Sequence, residues 1–348
     1  MKRPVILLFI RVLDLSLSTM NDAPTTLGFL KFEPQQFAKV WGGEKLHKFY
    51  QKPKGDRIGE SWEISGVTDK VSTINQSDLK EDSLTKIIEN HGPDLLGQRV
   101  FETYQGEFPL LFKFIDAKED LSVQLHPDDN IAKKFHNSFG KTEMWYVLQA
   151  DPGARLVIGF KPEVTINDYK EALKAGNITQ LLNEVPVESG DAFFIAPGLV
   201  HAIGGGVVLA EIQQTSDVTY RIYDWDRPDV NGTYRELNLE QAERALVFHD
   251  LDQVFCRPKV VQKNKANLVY ASKYFQTSLW DLTKNITLRT DPEESFMVLM
   301  CLTGSATLSA TTGQNTAINK GETVLIPASL GRFEVQATEA EILEVIVP

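Results

Sequence analysis

Cysteine is nearly absent: Cys256 and Cys301 are the only two in 348 residues, too few for a disulfide framework and too far apart for a thiolate metal motif. That usage fits a reducing compartment, so a cytoplasmic protein is expected. Long apolar runs are also missing. The run Val5 to Ile10 follows Lys2 and Arg3, is interrupted by Arg11 and Asp14, and falls far short of the ~20 residues a membrane helix needs. Residues 1–19 read as a non-essential extension rather than a secretion signal, with Met20 as an ordinary start, and no membrane partner is expected. Basic residues are outnumbered, 36 Lys and Arg against 47 Asp and Glu. The resulting charge of −11 argues against a nucleic-acid surface while leaving room for a local basic pocket.

The remaining composition, 42% hydrophobic and 24% charged, is that of an ordinary globular chain. Short apolar pieces divided by Gly, Pro and charged residues point to β-strands and turns, as at Trp41-Gly42-Gly43 and Gly59 to Ser65. Tryptophans there read as core. Helices are expected at Leu84–Leu96, after an Asp82-Ser83 cap and broken at Gly92-Pro93, and at 128–136, 168–183 and 239–246. A unit recurs: Gly190-Asp191-Ala192-Phe193-Phe194-Ile195 returns as Gly321-Glu322-Thr323-Val324-Leu325-Ile326, and Leu302 to Leu308 echoes Ala150 to Val157. Two β-barrel or jelly-roll modules follow from that recurrence, with residues 256–265 as the bridge.

The chemistry gathers around Leu121-Ser122-Val123-Gln124-Leu125-His126-Pro127. Alternation sends Gln124 and His126 to one strand face, and the apolar Leu110 to Ile115 just upstream implies a buried sheet. A buried amide and imidazole need a partner. With Glu143 and His201, four N/O donors could converge on one cation, a set suited to Zn²⁺ with Mn²⁺, Fe²⁺ or Co²⁺ as alternatives. The second repeat has no histidine after its proline, so only the first keeps donors. His47, His91 and His249 read as surface or cap residues, and His136 as a residue at the pocket edge.

Lys141, Arg221 and Arg227 are candidates for binding an anion, Arg221 foremost. If Val207 to Arg221 is one unbroken strand, Glu211, Gln213, Asp217 and Arg221 share a face; the alternative is a bend at Ser216-Asp217. Glu211 and Asp217 are then spare carboxylates for proton transfer or for orienting a metal-bound histidine. Basic groups beside a metal in an acidic chain suggest a small anionic substrate.

These motifs carry a resemblance. Trp41-Gly42-Gly43, Gly59-Glu60-Ser61-Trp62-Glu63, the 121–127 stretch, Gly140-Lys141-Thr142-Glu143, Pro197-Gly198-x-x-His201 and the segment Glu211 to Asp224 stand in an order that resembles the type I mannose-6-phosphate isomerases, short bacterial form, of the cupin superfamily. The resemblance runs from about Phe29 to the C-terminus and leaves the first 19 residues without a counterpart. It implies a mainly β fold of two cupin-like jelly-roll modules with helical insertions: a catalytic cupin domain over 20–250 and a C-terminal cupin-like domain without metal ligands over 251–348. It further implies an aldose–ketose isomerase that interconverts mannose 6-phosphate and fructose 6-phosphate through a cis-enediol, with one Zn²⁺ per chain. Gln124, His126, Glu143 and His201 would hold the metal. Arg221, Glu211, Asp217 and Lys141 would be catalytic, and Ser122, Lys141 and Arg221 would touch the sugar phosphate. A monomer or small homo-oligomer is expected.

Two other readings compete. A cupin metal oxygenase would place iron in the same cage and would not need Lys141 and Arg221 in the pocket. A sugar-binding cupin without turnover would tolerate Glu211→Gln.

Overall fold

The computed structural model describes residues 27–75, 83–249, 251–258 and 260–348. The readings made for residues 1–19, Met20 and Asp82 lie outside them. In chain order the strands of the first module are β1 (Gln35–Gly43), β2 (Ile58–Ser65), β3 (Leu110–Ala117), β4 (Val123–Leu125), β5 (Glu143–Ala150) and β6 (Arg155–Phe160). The module is completed by β7 (Leu182–Pro186), β8 (Ala192–Ile195), β9 (His201–Ile203), β10 (Val207–Gln214) and β11 (Tyr220–Tyr223). They form two antiparallel sheets, ordered β1-β2-β3-β10-β5-β8 and β11-β4-β9-β6-β7.

Period-2 alternation decides which way each side chain points. Along β3, β5 and β10, the residues Phe112, Phe114, Met144, Tyr146, Ala210 and Ile212 turn to the outer core. Ile115, Trp145, Val147 and Leu209 turn inward and meet Leu156, Ile158 and Ile203 of the opposite sheet. The barrel interior is thus apolar at one end. At the other end the inward positions are Lys113, Glu143, Glu211 and Gln213, all buried.

The second module repeats the plan with β12 (Asn267–Ala271), β13 (Gln276–Leu282), β14 (Ile286–Arg289) and β15 (Met297–Ala310). Then come β16 (Asn315–Asn319), β17 (Thr323–Ile326), β18 (Arg332–Gln336) and β19 (Ala340–Ile346). The recurring sequence unit forms β8 in one copy and β17 in the other, each behind a glycine of positive φ, Gly190 and Gly321. Glu143 pairs with Ile195 across β5–β8, and Met297 pairs with Ile326 across β15–β17. A thioether therefore stands where the first module has a carboxylate. The chain is mainly β, with a cupin-type architecture.

Six helices are described: α1 (Lys45–Tyr50), α2 (Leu84–Leu96), α3 (Gln98–Thr103), α4 (Asp129–His136), α5 (Ile166–Ala175) and α6 (Leu239–Ala245). Ser83 caps α2, whose φ/ψ breaks at His91 just before Pro93, and Asp128 caps α4. The expected helix 168–183 is shorter. Thr165 and Asp168 form a capping box that starts α5 at Ile166, and Gly176 ends it. A 3₁₀ turn at Ile178–Leu181 then leads into β7, which pairs with β6, so edge pairing claims residues that read as helix. Among the described residues no helix is long and apolar enough to cross a membrane.

Candidate metal centre and active site

Three strand ends build the centre. His126 follows β4, His201 opens β9 opposite Gln124, and Glu143 opens β5. His126, Glu143 and His201 are all buried, and one ligand atom from each lies within 4.8 Å of the others. His201 Nε2 is 3.1 Å from His126 Nε2, which is 3.2 Å from Glu143 Oε1. Each imidazole donates its Nδ1–H to a carbonyl, His126 to Val218 at 3.1 Å and His201 to Leu199 at 2.8 Å. A carbonyl only accepts, so both Nε2 atoms of the neutral rings carry lone pairs. Burial pushes His126 down to about 3, aided by the Lys141 charge, and pushes His201 down as well. The three acceptors therefore have no proton of their own to share, an arrangement that calls for a cation. The Lys141 ammonium touches two of them, 3.0 Å from Glu143 Oε1 and 3.3 Å from His126 Nε2. Burial opposes the ionised Glu143 carboxyl, but the Lys141 ammonium holds it well below its ordinary range.

Gln124 and His201 face one cavity, and Gln124 accepts from Ser122 Oγ at 3.0 Å. The cavity measures about 320 Å³, within the range of small-molecule sites, and is lined mainly by polar groups. Glu211 lies inside it, accepting from Lys113 Nζ at 2.8 Å and from Trp145 Nε1 at 2.9 Å. Register explains both contacts, since Glu211 sits opposite Lys113 on β3 and opposite Trp145 on β5. Burial and the nearby Glu143 charge push the Glu211 carboxyl up, against the pull of Lys113.

The strand from Val207 does not run unbroken to Arg221, and the break includes Ser216-Asp217. It stops at Gln214, and the chain crosses to the opposite sheet before Tyr220. Gln213 fastens that crossing, donating to the carbonyls of Gln214 and Ser216 at 2.9 and 2.6 Å, and accepts from Lys113 at 2.7 Å. Asp217 is consequently exposed at the mouth, paired with Lys70 at 2.8 Å. Partial burial works to raise its carboxyl, yet the Lys70 hydrogen bond and charge keep it lowered.

Arg221 reaches the cavity from the facing sheet. Its backbone N–H donates to Asn238 Oδ1, one terminal N–H donates to the Glu236 carbonyl, and its buried Nε has no partner. Burial and the neighbouring Arg235 push its guanidinium down from its ordinary value, as befits a cation short of counter-charge. Arg227 instead ties down the 119–120 loop and does not line the cavity. His136 bonds to the Tyr220 hydroxyl at 2.7 Å on a separate cleft.

Lys113, Trp62, Lys39 and Lys70 also line the cavity and were missed in the sequence. A signal existed for Lys113, a lone charge inside Leu110-Leu111-Phe112-Lys113-Phe114-Ile115. Burial opposes its ammonium, but Glu211, Glu60 and Glu143 outweigh that and raise its pKa.

Comparison with known proteins matches residues 29–169 to the family described as phosphomannose isomerase type I, catalytic domain, and residues 264–347 to mannose-6-phosphate isomerase, cupin domain. A mannose-6-phosphate isomerase of Streptococcus mutans is 31% identical over 88% of this chain and 94% of its own. A probable mannose-6-phosphate isomerase, GmuF, of Bacillus subtilis is 31% identical over 89% of this chain and 96% of its own. The crystal structure of a Bacillus subtilis mannose 6-phosphate isomerase superposes with a TM-score of 0.82 at 27% identity, covering 92% of this chain and 99% of that one.

Proposed function

The chain belongs to the type I phosphomannose isomerases, and from that premise we propose that it interconverts mannose 6-phosphate and fructose 6-phosphate at a zinc centre held by His126, Glu143, His201 and Gln124. The observation that carries the metal is the meeting of His126 Nε2, His201 Nε2 and Glu143 Oε1 with no proton of their own to share. Two neutral imidazoles, a carboxylate and an amide oxygen suit zinc, with other divalent ions as substitutes. When bound, the ion supplies Lewis-acid stabilisation of the sugar oxygens on which charge develops.

The chain's own residues do the rest. Glu211, its carboxyl raised and its orientation fixed by Lys113 and Trp145, takes the proton from C2 of the open-chain aldose. It returns that proton to C1 of the cis-enediol, while the O2 hydroxyl proton passes to O1, leaving the C2 carbonyl of the ketose. Arg221 and Lys141 offset the negative charge of phosphate and enediolate, and Ser122 touches the sugar. Asp217, at the solvent side, is the second acid/base group. Residues 20–250 act as the catalytic domain and 251–348 as its cupin-like partner. The two cysteines are free thiols, in keeping with a cytoplasmic setting.

The test is direct. Protein loaded with one zinc per chain is incubated with mannose 6-phosphate, and fructose 6-phosphate is followed. Product formation that is lost on chelation and restored by zinc is expected. Binding without product, or oxygen uptake with iron in place of turnover with zinc, would overturn the assignment.

A further inference from the structure

The second module is built without the metal-ligand pattern of the first, yet one of its hairpins touches the segment that precedes Glu143. The turn between β12 and β13 presents Tyr274, whose hydroxyl donates to Asp129 Oδ2 on α4. Ser272 braces that turn, accepting from the Tyr274 N–H at 3.1 Å and from the Phe275 N–H at 3.2 Å. The other Asp129 oxygen accepts from the Gly140 N–H at 3.0 Å and from Gln214 Nε2 at 2.9 Å. Gln214 in turn accepts the Thr142 N–H at 3.0 Å through its side chain, and its own N–H donates to the Thr142 carbonyl at 3.1 Å. Between these anchors, the Lys141 N–H donates to the Pro127 carbonyl at 3.1 Å, one residue after His126. Gly140 lies so close to α4 that a Cβ there would stand 2.6 Å from the Asp129 nitrogen. Every backbone N–H of Gly140, Lys141 and Thr142 is thereby tied, and two of the three ties run through Asp129 directly or by way of Gln214.

We infer that Tyr274 is a positioning residue of the isomerase site: the C-terminal module, through Tyr274 and Asp129, sets the 140–142 segment and so aims Lys141 and Glu143 at the metal centre. The inference rests on the isomerase reading for its catalytic consequence. A donor on the second oxygen narrows the rotation of the carboxylate about its Cβ–Cγ bond, and so holds the first oxygen in place for the Gly140 N–H and Gln214 Nε2. Tyr274 supplies that hold from a rigid hairpin. Groups that orient a metal ligand through such contacts typically change metal affinity or activity by about 10–100-fold when removed.

The experiment uses the full chain. Tyr274→Phe keeps the ring and removes the hydroxyl. The expected result is a kcat for mannose 6-phosphate conversion lowered about tenfold or more with KM little changed, and a zinc dissociation constant raised by a similar factor. The zinc constant is read by competition with a chromophoric chelator in the absence of sugar. Asp129→Asn reproduces both effects, and the double variant loses no more than the worse single one, since both act through one contact. Lys273→Ala, which removes an exposed charge 3.8 Å from Asp129 Oδ2, leaves both readouts at their original values. A lowered Tm with kcat and zinc affinity intact would show that Tyr274 only joins the modules, and would overturn the inference. Additive losses in the double variant, or losses equally large in Lys273→Ala, would do so too. If the unaltered protein binds zinc but turns over no mannose 6-phosphate, the isomerase reading fails, and the chelator competition still decides the positioning role.

Discussion

Two carboxylates that look alike in the sequence are given different electrostatic surroundings. Glu211 is buried beside Glu143 and its carboxyl is pushed up, while Asp217 is exposed and held down by Lys70. A group that accepts and returns a proton works best when its pKa is drawn toward the operating pH, which favours Glu211 as the shuttle. Glu211→Gln keeps the shape of the site, so kcat should fall about 10²–10⁴-fold with zinc content unchanged by metal analysis. Asp217 offers a test in pH. A carboxylate acting as base is active above its pKa and fails as pH drops through it. Lys70→Met removes the charge that lowers Asp217, so its pKa rises and the acid limb of the kcat/KM profile moves to higher pH. An unmoved limb would remove Asp217 from the mechanism.

At the scale of the element, alternation explains how β2, β3, β5 and β10 serve a core on one face and chemistry on the other. A second ionic contact lies on the core side of that sheet. Lys52, just beyond α1, donates to Glu63 Oε2 on β2 at 2.6 Å, and Ser61 Oγ donates to Oε1 at 2.6 Å. Both charged side chains are buried, 4% and 3% exposed, so neither can fall back on water if its partner is removed. Lys52→Met should therefore cost about 3–5 kcal/mol in denaturant unfolding, and pairing it with Glu63→Leu should recover most of that loss. Elements were legible in the sequence where the signal is local. Asp128 and Ser83 cap their helices, and the Gly190 and Gly321 units both became strand pairs. They were misread where pairing partners far away in sequence decided the outcome. Residues 182–186 became an edge strand on β6, and the Val207–Arg221 run split because its second half pairs with β4 in the opposite sheet.

Across the whole molecule the two modules share one core. Phe112, Phe114, Met144 and Ala210 of the first pack in the same cluster as Phe275, Phe296, Val298, Met300 and Leu343 of the second. The segment before β1 crosses over as well, with Leu30 pairing to Leu325 and Phe29 packed against Phe333. Phe296 is fully buried, 5.1 Å from the Phe108 ring, and its N–H donates to the Leu96 carbonyl at the end of α2. A common core couples the modules, so calorimetry should record one unfolding transition. Phe296→Ala should destabilise that single transition by about 3–5 kcal/mol, whereas two resolved transitions would refute the coupling.

By itself the sequence determined the mainly β repeat architecture, the family, and the residue types offered to a metal and an anion. Those depend on short-range patterns: period-2 alternation, glycine turns, and a few dense polar motifs. Only the tertiary structure decided that His126, His201 and Glu143 meet, that Lys113 is the partner of Glu211, and that Asp217 faces water. Each of those is a distance between strands far apart in the chain, fixed by register and sheet order, and no local pattern encodes it.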